Sequence, residues 1–165
     1  MRISLEEALQ QVDASMLNGG HCGPTVMKVM SAAYGFNNPD FLWAGMALRG
    51  GLAGVQAGPC GAIAASLVCL GLRHRHPLDD TEQAEREDEA LYEESQELVK
   101  GFVKEFGALS CRELTGIDFD DPEASKVARE SGLFSRICPG HVKYVVEQLY
   151  RIESVRDAGI SPSSG

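Results

Sequence analysis

A single all-α domain, a helical bundle of about six or seven helices around a buried central Ala/Gly-rich helix, is what this sequence predicts. Three observations predict it. Apolar residues recur at three- and four-residue spacings in several windows, and no convincing strand alternation occurs. Hydrophobic residues make up 44% of the 165 residues and aromatics only 7%, while Ala and Gly are abundant, which suits closely packed helices rather than sheets. Finally, Pro59 to Leu72 is apolar on nearly every side yet only fourteen residues long, too short for a bilayer and right for a central helix.

The elements follow in order. Ser4 and Glu7 form a capping box, and Leu5, Ala8, Leu9, Val12 and Met16 then recur at helical spacing until Asn18-Gly19-Gly20. A second helix begins near Cys22, with Pro24 in its first turn, presents Val26, Met27, Met30 and Ala33, and ends at Gly35 and Asn37-Asn38. Pro39-Asp40 restarts a helix through Phe41, Leu42, Trp43 and Met46. After the bend RGGLAGVQAGPCGA comes the central helix, whose Ala62, Ala64, Ala65 and Ser66 let neighbouring backbones approach. Asp80 or Thr81 caps a long helix to about Phe106, charged in its first half, with Leu91, Leu98, Val99, Phe102, Val103 and Phe106 on one stripe in its second. Cys111 starts one short helical turn, Asp121-Pro122-Glu123 caps a helix ending at Gly132, and Cys138-Pro139 opens the last helix, with Val142, Val145, Val146, Leu149 and Ile152 facing inward. Residues 1–156 form one domain in this reading, and 157–165 an unstructured tail.

Charge narrows the function. A formal net charge of −9 with no basic stripe argues against nucleic acid; Arg73-His74-Arg75-His76 is too short and stands beside acid. Ten carboxylates and one basic residue, Arg86, lie between Asp79 and Glu97. A solvated helix face is the plain reading of that run, and a docking surface for a basic partner the sharper one. No segment resembles a signal peptide or a membrane span, so the cytoplasm is the expected compartment, where thiols are kept reduced. Met and Trp side chains left outside the core would support a homodimer, although periodicity places most of them inside.

Four of the five cysteines stand where a helix should begin or turn: Cys22 in GHCGPTV, Cys60 in GPCGAIAA, Cys111 in LSCRELTG and Cys138 in ICPGHV. A thiol at a helix N-terminus meets unpaired N–H groups and the positive end of the helix dipole, and both favour the thiolate. Cys60 is the strongest candidate, since Gly58-Pro59 and Gly61 leave its sulfur approachable. His21 adjoins Cys22 and His141 follows Cys138 by three residues; each is placed to tune a thiol or to be a polar helix-end residue. Cys69 lies nine residues after Cys60 on the same helix, on the opposite side and ~13 Å along the axis, and reads as core filler. The four candidates are separated by 38, 51 and 27 residues, so no C-x-x-C knuckle, redox loop or c-type haem motif is present. Tertiary folding must assemble any site.

These pieces resemble the redox-active C_GCAxxG_C_C family. The match runs from HCGPTVMKV through GGLAGVQAGPCGAIAASLVCLGL and VKGFVKEFGALSCRELTGIDF to CPGHVKYVVEQL. The resemblance implies a helical fold and assigns the family cysteines to Cys22, Cys60, Cys111 and Cys138, leaving Cys69 outside. Ala65 stands where the CGAxxG motif usually has glycine.

Three readings remain at this stage. Cys22, Cys60, Cys111 and Cys138 converge for thiol–disulfide chemistry with an unidentified redox partner, Cys60 attacking and Cys22 or Cys138 resolving. Alternatively, the same four hold zinc or an iron–sulfur cluster. In the third, the chain is a non-catalytic acidic interaction module. Hydrolase motifs are absent, and a papain-like Cys–His pair with His21 or His141 is the weakest option.

Overall fold

Five of the eight described helices begin at a side-chain cap. The computed structural model describes residues 1–36, 38–76 and 80–157. Asn37, Asp79 and residues 158–165 of the tail expected at 157–165 lie outside the described residues. Among those described there are eight helices and no strand. The sixth of these, at Cys111, is a single turn.

Helix α1 (Leu5–Leu17) starts at the expected capping box, with Glu7 N donating to Ser4 Oγ at 3.2 Å and Ser4 N to Glu7 at 2.7 Å. Helix α2 (Cys22–Tyr34) ends at Gly35, whose φ of 73° supplies the left-handed cap. Asn38 caps α3 (Pro39–Ala44). The central helix is α4 (Gly61–Arg73), with Cys60 as its N-cap residue. Asp80 caps α5 (Thr81–Phe106), Ser110 caps α6 (Cys111–Thr115), and Asp121 caps α7 (Pro122–Glu130).

Two expectations need correction. The last helix, α8 (Leu133–Asp157), begins five residues before Cys138, so Cys138 lies inside a helix rather than at its start. Pro139 is carried within α8; lacking an N–H, it leaves the Ser135 carbonyl without its helical donor instead of ending the helix. Asp157, expected in the tail, closes α8. Trp43 is the second case: it is 73% exposed, and Met46 lies beyond α3 and is also exposed. A six-residue helix makes fewer than two turns and buries one narrow side, here Phe41 and Leu42.

Helices α2 and α4 pack closely at the centre, and α8 crosses both. Their core is Val26, Met27, Met30, Ile63, Leu70, Val142, Val146 and Leu149, joined by Phe102 of α5. Ala65 and Cys69 are fully buried, so the methyl at the family's glycine position fills the core, and Cys69 is the packing residue its helix face indicated. No described helix is long and apolar enough to cross a membrane.

The acidic run is not wholly solvated. Glu94 is 5% exposed and accepts from His74 Nε2 at 2.7 Å, while Glu87 meets His74 Nδ1 at 2.7 Å. Arg156 stands 3.5 Å from each carboxylate, and Arg73 pairs with buried Glu153 at 2.6 Å. This cluster ties the C-terminal end of α4 to α5 and α8. Replacing His74 by Leu would leave Glu94 buried with one distant partner. We expect a loss of about 2–3 kcal/mol in urea unfolding; a loss under 1 kcal/mol would show the cluster to be dispensable.

Candidate functional site

The opposite end of α4 gathers the thiols. Each of the first two cysteines precedes a glycine, and both glycines are sites of close approach. A Cβ on Gly23 or on Gly61 would run into the backbone carbonyl of Leu48, and one on Gly61 would also come within 2.7 Å of Cys22 Sγ. The first turns of α2 and α4 therefore close on the same carbonyl, which sets Cys22 beside Cys60.

Cys111 is brought in by backbone pairing. Pro59 and Ser110 form an isolated antiparallel bridge, with Cys60 N donating to Leu109 O at 2.8 Å and Cys111 N to Gly58 O at 3.2 Å. The bend between α3 and α4 completes the enclosure. Its residues Gly50, Gly51, Leu52, Ala53 and Gly54 are consecutively left-handed, with φ between 51° and 83°, and Gln56 follows at 64°. Left-handed backbone costs a residue with a side chain about 1–2 kcal/mol. Hydrogen bonds from Ala53 N to Ala47 O, Gln56 N to Gly50 O and Gly58 N to Gly51 O hold the turn in place. Gly51 packs directly on Cys111, where a Cβ would come within 2.8 Å of the cysteine's own.

Cys22, Cys60, Cys111 and Cys138 all line one cavity of about 470 Å³. All five cysteines of the chain are free thiols. Cys138 reaches the cavity from the body of α8, not from a helix end.

The four thiols are not equivalent. Cys22 is held well below the ordinary thiol range, first by a hydrogen bond from the Cys60 thiol and then by the amides of Gly50, Gly23 and Gly61; these outweigh its burial. Cys60 is pushed up, because it donates to Cys22, is buried and faces that neighbour's charge. Burial raises Cys111, aided by Cys22 and opposed by Gln56. Burial also pushes Cys138 up to about 12, with Cys22 and Cys111 adding to it. The site thus concentrates one negative charge on one sulfur, in the nest of N–H groups that two helix starts and a left-handed turn supply.

The histidines take different places. His21 is the N-cap residue of α2, makes no side-chain cap bond and is exposed at the cavity, its pKa lowered by partial burial and by Arg49. His141 is buried edge-on to Phe106 and Phe102, with ring centroids 4.6 and 5.6 Å apart, and burial lowers its pKa. Neither ring is hydrogen-bonded to a thiol among the described contacts, so the Cys–His reading gains no support. Among the described residues no three His, Cys, Asp or Glu side chains come together as a metal-ligand set.

Sequence reasoning missed three further residues. Gln56, fully buried, accepts from Phe119 N at 2.5 Å and turns its amide nitrogen toward Cys111. Arg49 and Arg129 line the cavity. The one signal for Gln56 was its place as the lone polar side chain in LAGVQAG; the arginines carried none.

Residues 20–152 match the family model described as "Putative redox-active protein (C_GCAxxG_C_C)", a span that includes all four cavity cysteines. No curated protein and no solved structure matches the chain.

Proposed function

This chain belongs to the C_GCAxxG_C_C family of redox-active proteins, and we propose that it performs thiol–disulfide exchange with Cys22 as the attacking thiolate and Cys60 as its partner. The observation that carries this reading is the Cys22 sulfur, placed among three backbone amides and the Cys60 thiol. This reading gives Cys22 the attacking role expected of Cys60, because Cys22 is the sulfur that collects donors.

The chemistry balances as follows. Cys22 thiolate attacks one sulfur of a disulfide substrate, forms a bond to it and expels the other half as a thiolate. That bond removes the charge and the hydrogen-bond acceptor that had kept Cys60 protonated, while the Ala62 amide still favours its thiolate. Cys60 then gives up its proton and attacks the Cys22 sulfur. The second half of the substrate leaves, and both leaving groups are protonated, one by the proton from Cys60 and one from solvent. Two electrons have passed from the protein dithiol to the substrate, and an external dithiol restores the pair by the reverse exchange. Cys111 and Cys138, facing the same cavity, are the thiols to which the disulfide can be handed on.

The test is peptide mapping of fully reduced protein after one equivalent of a small disulfide. The first product should be a Cys22–Cys60 cross-link with two thiols lost. Cys60→Ser should stop at a mixed disulfide on Cys22, and Cys22→Ser should block fast oxidation. A first cross-link that excludes Cys22, or no loss of thiol, overturns the reading.

A further inference from the structure

The cavity is charged against the rest of the chain. With a formal net charge of −9, the protein lines it with no Asp or Glu, and with Arg49 and Arg129 instead. Arg73–Glu153, Arg86–Glu82, Arg112–Asp118 and Arg156–Glu87 are ion pairs, while Arg2, Arg75, Arg136 and Arg151 pair with no carboxylate among the described residues but are not on the cavity lining. Among the described residues Arg49 and Arg129 pair with none, although acids outnumber bases by 24 to 15. Both are exposed, whereas Cys60 is buried and the other three thiols are partly buried. The lining thus sets exposed arginines beside more buried cysteines.

A second observation points the same way. Gln56 Nε2 is buried with no hydrogen-bond partner, and Gln56 lies beside Cys111. A spare donor next to the thiols favours negative charge on sulfur, and no Asp or Glu on the lining competes for the arginines. The volume of about 470 Å³ falls in the range of small-molecule sites.

We propose that this cavity selects a small anionic disulfide, its carboxylates held by Arg49 and Arg129 and its sulfur–sulfur bond presented to Cys22. The proposal rests on the thiol-exchange reading. The disulfide is the oxidant: it takes two electrons and two protons to become two thiols as the Cys22–Cys60 bond forms. The chain's overall charge repels such a molecule, but that field is screened within about 8 Å at physiological salt, whereas a guanidinium in contact with a carboxylate is not. Bulk charge and local charge thus predict opposite preferences.

Three symmetric disulfides of similar length separate them: dithiodipropionate with two carboxylates, bis(2-hydroxyethyl) disulfide with no charge, and cystamine with two ammonium groups. The rate of Cys22 oxidation by each is divided by its rate with free 2-mercaptoethanol. We expect the dianion to react about tenfold faster than the neutral compound, with the dication slowest. Arg49→Gln combined with Arg129→Gln should bring the ratio near one, and Arg49→Lys combined with Arg129→Lys should retain most of it. Equal rates, or cystamine fastest, overturn the anion preference while leaving thiol exchange standing. No reaction with any of the three overturns thiol exchange itself. Glutarate, which cannot react, then tests the anion site alone. It should slow alkylation of Cys22 by neutral iodoacetamide in the wild-type protein and not in the double Gln variant. Absence of protection overturns the site.

Discussion

Cys22 is expected to alkylate rapidly at pH values where an ordinary thiol is still protonated. Its pKa is depressed, so the thiolate is present from that lower value upward, and its rate should level off below the pH where a free thiol, with a pKa near 8.5, begins to rise. The largest cause is the hydrogen bond from Cys60, and removing that donor should return Cys22 toward the ordinary range. Cys60→Ala should move the midpoint of the rate profile to higher pH and slow alkylation at pH 6 by about tenfold or more, since each pKa unit is tenfold in thiolate. Cys60→Ser keeps an O–H donor and should fall between. Three amides remain in every variant, so the shift should be partial. Iodoacetamide kinetics against pH, with modification read by mass at the Cys22 peptide, measure this directly. A wild-type profile that follows a free thiol would remove Cys22 from the attacking role, and an unmoved profile in Cys60→Ala would remove Cys60 as the cause.

Alanine at position 23 or 61 is expected to destabilise the fold by about 3 kcal/mol or more. Both Cβ atoms would meet the Leu48 carbonyl, a backbone group that no side-chain rotation can move. Helix α4 contains its own control. Gly71 has nothing within 4 Å of where its Cβ would sit, so Gly71→Ala should gain up to about 1 kcal/mol from helix propensity. Urea unfolding of the three variants tests the set. If all three change stability alike, the wedge at Leu48 is not what joins the helix starts. Gly61→Ala should also raise the Cys22 pKa, because the same methyl would push on Cys22 Sγ and loosen its contact with the Gly61 amide.

These two expectations concern one construction, a single carbonyl that draws two helix N-termini together so that their cysteines share a proton. It also accounts for the glycine after each of the first two cysteines. Sequence reading took Gly61 as room for a reagent near the sulfur; the structure adds that Gly23 and Gly61 make room for Leu48.

Local chemistry made much of this protein legible in one dimension. Ser4, Asp80 and Asp121 cap the helices they precede as the sequence indicates, because a cap needs only its own next two or three residues. The stripe on α2 is buried as its spacing requires, and Cys69 falls in the core because nine residues along a helix turn it away from Cys60. Cys22, Cys60 and Cys138 likewise stand out in glycine- or proline-flanked settings, whereas Cys111 joins them through the family resemblance. Tertiary structure decided the rest. Pro139 looked like a helix start and is accommodated inside α8, and Trp43 lies exposed on a helix too short to bury it. Which thiol is charged depends on the Cys60 thiol and the Gly50 and Gly61 amides, all remote from Cys22 in sequence, and on a left-handed turn that no periodicity announces. The charge of the cavity is likewise a sum over Arg49 and Arg129, eighty residues apart in the chain. Helix formation is governed by neighbours along the backbone, whereas a pKa and a binding preference are governed by neighbours in space.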